Sequence, residues 1–368
     1  MIMGKMVNSL GLMSGTSLDG VDMALLRSDG ESLIEAGRHG FVAYDEETRR
    51  VLRAALDMAR ELPTPVLADR ALWPDALVVA ENLVTQAHIE VVQDFLSAED
   101  TVDIIGFHGQ TIAHRPQEAM TLQVGDGEAM AAALGRDVVN QFRLADMAAG
   151  GQGAPLAPLY HAALAGPARP QAVLNLGGIG NLTWLGEGDA MLAFDTGPAN
   201  ALIDDWLLEK TGKAYDADGA LAAAGQVNEA AVAALMAHPF FEAPPPKSLD
   251  RLDFDMSPVA GLADADGAAS LTAFTAESIA RALAHCPEKP MRLVLCGGGR
   301  HNKTLCAMLA ERADIGIVDC DVLGWRGDAL EAQAFAWLAI RHLRGLALSR
   351  PETTGVSAPI SGGILHKA

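Results

Sequence analysis

The chain is poor in cysteine and in cationic residues, and it has no long apolar run. Cys286, Cys296, Cys306 and Cys320 are scattered, with no CxxC pair and no histidine at metal-ligand spacing. That pattern indicates neither a zinc site nor a disulfide framework and fits reduced thiols in a cytosolic protein. Lysine and arginine number 27 against 47 aspartates and glutamates, a formal charge of −20. Nucleic acid or an anionic membrane surface as the main partner would need a basic face, so both are disfavoured, and the acidity reads as solubility. No segment approaches the roughly 20 apolar residues that cross a bilayer, and the opening MIMGKMVNSL lacks a signal-peptide core. A soluble, cytoplasmic protein is expected. Charge blocks, heptads and short-period repeats are absent as well.

What is present is a globular α/β pattern. At 368 residues the chain exceeds one compact core and predicts two domains of roughly 150 to 200 residues each. Half the residues are apolar and 20% are charged, enough burial to offset chain entropy. In LGLMSGTSLDGVDMALL, residues 10–26, two apolar runs flank a turn of small, hydroxylated and glycine positions, which reads as a hairpin. Residues 46–97 read as mostly helical, and VDIIGFHGQTI as a short buried strand entering a polar turn. After a helix over Glu128–Leu134, DVVNQF reads as another strand. Glycine- and proline-rich breaks follow near residues 148–158 and 165–171. AVLNLGGIGNLTWL then repeats the plan of strand, glycine turn and strand, with a helix beginning near Asn200. Further on, LTAFTAESIARALAHC reads as an amphipathic helix, RLVLCGGGRHNKTLCAML as strand, glycines and helix, and DALEAQAFAWLAIRHL as a helix.

Three glycine loops, SGTSLDG, GGIGN and CGGG, each leave a strand. Backbone amides bared by glycine, together with Ser and Thr hydroxyls, suit phosphate oxygens. None matches GxxxxGK[ST], and no GxGxxG opens a helix with an acidic residue at dinucleotide spacing, so P-loop and Rossmann sites are disfavoured. The arrangement instead resembles the two-lobed sugar kinase, heat-shock ATPase and actin superfamily. In that plan each lobe opens with a phosphate-gripping hairpin, and a later glycine loop holds the nucleoside.

FDTGPAN sets Asp195 at the end of an apolar strand, where a rigid, partly desolvated carboxylate suits a general base; capping the next turn or helix is the other reading. His108, Gln110 and Thr111 are placed in the turn after a strand, able to face a cleft or to bond within the fold. Arg143 follows Phe142, and Glu331 lies on a helix rich in Ala, Phe and Trp.

The stretches GLMSGTSLDGVD, HGQTIAHRP, TLQVGDG, AAGGQGAPLAP, LNLGGIGNLT, FDTGPAN, CGGG and EAQAFAWLA together resemble the anhydro-N-acetylmuramic acid kinases of bacterial peptidoglycan recycling, over nearly the whole chain. The resemblance implies an α/β, two-lobed actin-like ATPase (ribonuclease H-like) fold with a nucleotide cleft between the lobes. Residues 1–140 would form the first lobe, completed by 328–368, and residues 141–327 the second. It implies that ATP and water open the 1,6-anhydro bridge of the amino sugar and phosphorylate O6, with magnesium as cofactor and a homodimer as the assembly. Asp195 would be the catalytic base. ATP would meet Gly15, Thr16, Ser17, Leu18, Asp19, Gly20, Val21 and Asp22, then Gly177 and Gly178, and Gly297, Gly298 and Gly299. Gln110, Thr111, Arg143 and Glu331 would lie near the sugar. The residues that bind magnesium are not identified: Asp19 and Asp22 are candidates, and shaping the turn and the start of the strand is the other reading of both. The chain departs from the family pattern at Gln141, where an acidic residue is expected, and at Ala199, where glycine is expected.

Overall fold

The computed structural model describes residues 5–15, 17–249 and 253–368. The chain divides into two compact units, one of residues 1–165 with 329–368 and the other of residues 166–328.

In the first unit, β1 (Val7–Ser14) and β2 (Gly20–Ser28) form the antiparallel hairpin predicted around SGTSLDG, and β3 (Ile34–Ala43) extends it. On the other side of β1, β4 (Ile104–Arg115) and β6 (Val138–Asn140) add in parallel, and β12 (Ile364–His366) closes that edge. β5 (Met120–Val124) folds back on the far end of β4. The strand period of two sorts the faces. Leu10, Leu12, Ile105 and Phe107 join a core with Leu52 of the helix Glu46–Glu61 and Val84 and Val92 of the helix Asp75–Phe95. On the opposite face lie Gly11 and Gly106, against the helix Leu330–Leu343. A Cβ on Gly11 would sit 1.8 Å from the Ala332 carbonyl oxygen, and one on Gly106 2.2 Å from that of Phe335. Helix and sheet therefore meet backbone to backbone, which only glycine permits.

In the second unit, β7 (Gln171–Leu176), β8 (Ile179–Leu185) and β9 (Met191–Pro198) form an antiparallel meander. β10 (Leu293–Cys296) and β11 (Ile317–Asp319) add in parallel on the free side of β7. The sheet order β11-β10-β7-β8-β9 repeats β6-β4-β1-β2-β3 of the first unit strand for strand. This doubled order is that of the actin-like, ribonuclease H-like α/β class. The helix Asp264–Leu283 is buried through most of its length, with Ala276 and Ile279 in a core shared by Leu174, Phe194 and Leu295. Its buried hydroxyls are satisfied by backbone carbonyls: Thr272 donates to Ala268 O (2.8 Å) and Thr275 to Ala199 O (3.0 Å).

Two sequence expectations need correction. The unit border falls after Ala165, not after residue 140, because residues 141–165 pack into the first unit: Asp146 bonds Ser349 and Thr354, and Tyr160 donates to Gln333 (3.1 Å). The polar run HGQTIAHR is the second half of β4 rather than a turn, paired with β5 across a register shift between Thr111 and Ala113.

Candidate functional site

In the first unit the candidate residues gather at the end of β1 and along β4. The turn after Ser14 tightens through Leu18 N donating to Gly15 O (3.2 Å), with Leu18 in the left-handed region at φ 57°. Ser17 Oγ donates to Asp19 Oδ1 (2.9 Å), and Asp19 O accepts from Tyr44 N (2.9 Å). Gly20 and Val21 begin β2 and are buried; Asp22 lies opposite Met13. Thr16 lies outside the described residues. Gln110 is fully buried and braces the turn from β4: its amide nitrogen donates to Gly15 O (3.0 Å) and its oxygen accepts from Ser14 Oγ. Ser14 Oγ also bonds the Tyr44 hydroxyl (2.8 Å), whose pKa burial pushes well up, so the phenol stays protonated. Thr111 Oγ1 accepts from Gln123 (3.2 Å). In this structure Gln110 and Thr111 shape the turn and β4 through these bonds.

Arg143 is held between two acceptors, Gly153 O (2.8 Å) and His108 Nε2 (3.0 Å). A guanidinium can only donate, so His108 is the tautomer with hydrogen on Nδ1, which donates to Gly109 O (2.7 Å). Burial, and then the Arg143 charge, pushes the His108 pKa down to about 3. Glu331 opens the helix Leu330–Leu343 and is reached by solvent. Loss of hydration still raises its pKa; Arg143 pulls the other way and Asp19 adds to the rise. Asp19, Arg143 and Glu331, far apart in sequence, thus share one electrostatic environment.

In the second unit Asp195 lies on β9, 5% exposed, with both carboxylate oxygens engaged. Asn181, its register partner on β8, donates through Nδ2 to Oδ1, and Leu249 N donates to Oδ2 (2.8 Å). Asp195 N donates to Lys247 O (2.9 Å), so residues 247–249 wrap the carboxylate. Lys247 is itself buried, donating to Phe240 O (2.9 Å) with its ammonium 4.4 Å from the Phe240 ring centroid. Burial and then Arg281 lower its pKa, while Glu242 and Asp195 oppose.

The GGIGN and CGGG loops converge on the start of the helix Asn200–Thr211. Gly177 O accepts from Asn200 N (3.0 Å), Gly178 O accepts from Ala199 N (2.8 Å), and the Asn200 side chain donates to Leu176 O (2.8 Å). A Cβ on Gly297 would meet Asn175 Oδ1 at 2.3 Å, and one on Gly299 would meet Asn200 at 2.9 Å, whereas Gly298 has open space. Ala199 has φ −109°, outside the region reserved for glycine, which explains its tolerance there. Gln141 has φ 51° and donates through its side-chain amide to Gln123 O (3.1 Å).

A sequence model of the anhydro-N-acetylmuramic acid kinases matches residues 7–368. The chain belongs to the anhydro-N-acetylmuramic acid kinase family. A family member from Rhizorhabdus wittichii is 52% identical over 99% of this chain and 100% of its own length. Another from Rhodospirillum rubrum is 51% identical over 96% of this chain and 93% of its own. Among solved structures, component A of (R)-2-hydroxyglutaryl-CoA dehydratase from Acidaminococcus fermentans shares 13% identity at a TM-score of 0.47, covering 91% of this chain and 98% of its own.

For a family that phosphorylates, the donor set at the first turn is chemically apt. The exposed Asp19 carboxylate, steadied by Ser17, is a hard oxygen donor of the kind magnesium takes, and Asp22 lies half-buried three residues on, in β2. The only grouping of three potential ligands among the described residues, Asp319, Cys320 and Asp321, lies elsewhere, where the Arg300 guanidinium binds Asp319 and Asp321. The sequence shows Ser14 and Asn181 only as members of SGTSLDG and GGIGN, not as partners of Gln110 and Asp195, and gives no sign of Tyr44 or residues 247–249. Only the β8–β9 register brings Asn181 opposite Asp195, and no local pattern in KSL announces two bonds to a residue about fifty positions earlier.

Proposed function

We propose that the chain is an ATP-dependent kinase that opens the 1,6-anhydro ring of 1,6-anhydro-N-acetylmuramic acid with water and phosphorylates O6, giving N-acetylmuramic acid 6-phosphate and ADP. The carrying observation is Asp195, a carboxylate fixed at both oxygens by Asn181 and Leu249 N in a chain matched to the family over residues 7–368.

Asp195 accepts a proton from water as its oxygen bonds C1 from the side opposite the bridge. The C1–O6 bond breaks, and O6 takes the γ-phosphoryl group as the bond to the β-phosphate oxygen breaks and ADP leaves. Because phosphorus receives O6, one protein carboxylate suffices where glycoside hydrolysis ordinarily uses two. The turn of Gly15, Ser17, Leu18, Asp19, Gly20, Val21 and Asp22 would hold the ATP phosphates, and Gly177, Gly178 and Gly297 to Gly299 the rest of the nucleotide. Magnesium, held by Asp19 and Asp22, would neutralise phosphate charge. Arg143 and Glu331 would face the sugar, with Gln110 and Thr111 supporting the turn beside it.

The reading includes a cytoplasmic homodimer acting in peptidoglycan recycling. Among the described residues no helix is long and apolar enough to cross a membrane. Light scattering tests the dimer. The reaction is tested by mass spectrometry of the product formed from ATP, magnesium and the anhydro sugar in oxygen-labelled water. Label on the anomeric hydroxyl together with one added phosphate is expected; phosphate without label would refute coupled hydrolysis and transfer.

A further inference from the structure

The glycine-rich stretch Gly150–Gly153 is held by one buried carboxylate that the proposed chemistry does not use. Asp146 is 2% exposed. Its Oδ1 accepts from Gly153 N (2.6 Å), and its Oδ2 accepts from the hydroxyls of Ser349 and Thr354, the latter at 2.5 Å. Its backbone carbonyl takes Gly151 N (2.9 Å), and Gln152 N donates to Thr354 O (2.7 Å). Gly151 has no space for a side chain: a Cβ would lie 2.2 Å from Asp146 Oδ1 and 2.5 Å from Val356. The partners on the C-terminal segment are 203 and 208 positions away in sequence.

A buried carboxylate is an expensive way to fill space, since an apolar side chain of similar volume is often as stabilising. What it supplies here is a fixed loop conformation, and that conformation ends at Arg143. The Gly153 carbonyl accepts from Arg143 Nη1 (2.8 Å), and Arg143 Nη2 reaches His108 (3.0 Å). His108 accepts only while neutral, and Gly109 O fixes the tautomer. The path runs from Ser349 and Thr354 through Asp146 and Gly153 to the guanidinium.

We propose that Asp146 is a positioning residue for the amino-sugar site, pinning the Gly150–Gly153 loop to the C-terminal segment so that the Gly153 carbonyl aims Arg143. The inference rests on the reading that Arg143 meets the sugar, whose acid group is the natural partner of a planar guanidinium. A guanidinium free to rotate would lose the directional part of that contact while leaving the phosphate turn unchanged.

The test is steady-state kinetics on the full-length enzyme with the anhydro sugar and ATP varied in turn. Asp146→Ala should raise KM for the sugar about tenfold, the equivalent of about 1.4 kcal/mol, and leave KM for ATP within about twofold. The pair Ser349→Ala with Thr354→Val, which leaves the carboxylate in place, should shift the same constant in the same direction. Asp146→Asn should recover part of the loss, because its amide can accept from Gly153 N and donate to the two hydroxyls. In an Arg143→Ala background, Asp146→Ala should add less than about twofold, since both act through one group. Hydrogen exchange at Gly151 and Gly153 in the free enzyme should quicken in Asp146→Ala. Normal sugar KM in Arg143→Ala would overturn the reading of Arg143 itself. A raised KM there, with normal sugar KM in both Asp146→Ala and the Ser349/Thr354 pair, would overturn the positioning role alone. Equal rises in both KM values, or full additivity with Arg143→Ala, would also overturn it.

Discussion

Asn181 and Asp195 face each other across the β8–β9 pair, and the Asn181 side-chain amide donates to the Asp195 carboxylate. Leu249 N occupies the other oxygen at 2.8 Å, so the carboxylate is aimed before any substrate arrives. As the proposed base, a carboxylate held this way would lose little orientational freedom in the reaction. Asp195→Asn keeps the shape and removes the basicity. Turnover of the anhydro sugar should fall by about two to four orders of magnitude, the usual contribution of a positioned base. An amide also sets an N–H against one of the two donors, costing about 1 to 3 kcal/mol of stability. Thermal unfolding and single-turnover kinetics on the same preparation separate these effects. Full turnover in a folded Asp195→Asn variant would remove Asp195 as the base.

The hairpins at residues 10–26 and 172–185 and the strands β4, β6, β9 and β10 are legible because short apolar runs bounded by glycine turns are local objects, whereas β3, β5, β11 and β12 are not read from the sequence. The helix Leu330–Leu343 is legible from DALEAQAFAWLAIRHL, an uninterrupted local run rich in helix formers with no glycine or proline. Long-range partnerships are not. Gln110 looked like a turn residue because it is polar, yet it lies in a strand, fully buried, with its amide meeting Ser14 and Gly15 across the sheet. The unit border was misplaced because residues 141–165 depend on bonds to Gln333, Ser349 and Thr354, which composition near residue 150 cannot reveal. Asp195 was visible as a carboxylate after an apolar strand, but its donors Asn181 and Leu249 emerge only once register and chain return are known.

The approach of the helix Leu330–Leu343 to β1 sets a steep tolerance at Gly11. A methyl group there would lie 1.8 Å from Ala332 O and 2.6 Å from Ala336 N, both backbone atoms without a rotamer to yield. Gly11→Ala should therefore destabilise the first unit by about 3 kcal/mol or more, at the upper end of overpacking effects. Gly298→Ala, with open space around its Cβ, should leave the melting temperature nearly unchanged and serves as the control. Calorimetry on the two variants decides it, and equal melting temperatures would contradict the packing described.

Acid should weaken the first unit through histidines buried in the neutral form. His88 packs on Phe107 with ring centroids 4.9 Å apart, and burial pushes its pKa down to about 4, against a bond to Val84 O that opposes the shift. With the folded value below the unfolded one, this stability is complete above about pH 6.5 and is lost as pH falls toward 4. The loss attributable to His88 is about 2 kcal/mol at pH 5 and about 3 kcal/mol at pH 4. His88→Phe keeps an aromatic ring and removes the titration. Denaturant unfolding from pH 7.5 to 4 should show a shallower decline in the variant; parallel curves would mean that His88 takes up no proton on unfolding.

Glu331 carries the opposite sign. Its folded pKa is raised, first by loss of hydration and further by Asp19, with Arg143 only partly offsetting. The native state therefore holds a proton that the unfolded chain has released over a window just above the ordinary carboxylate value. Stability from this group is complete below that value and is lost as pH rises through the folded pKa. Glu331→Gln should consequently melt higher than the parent at pH 7.5, with the difference shrinking toward zero near pH 4.5. If Glu331 also faces the sugar, the same variant should lose kcat/KM at the pH where it gains stability, the trade expected of a strained site residue. Thermal unfolding at both pH values, paired with kinetics at pH 7.5, separates the two claims. A lower melting point for the variant at pH 7.5 would mean that attraction to Arg143 outweighs desolvation.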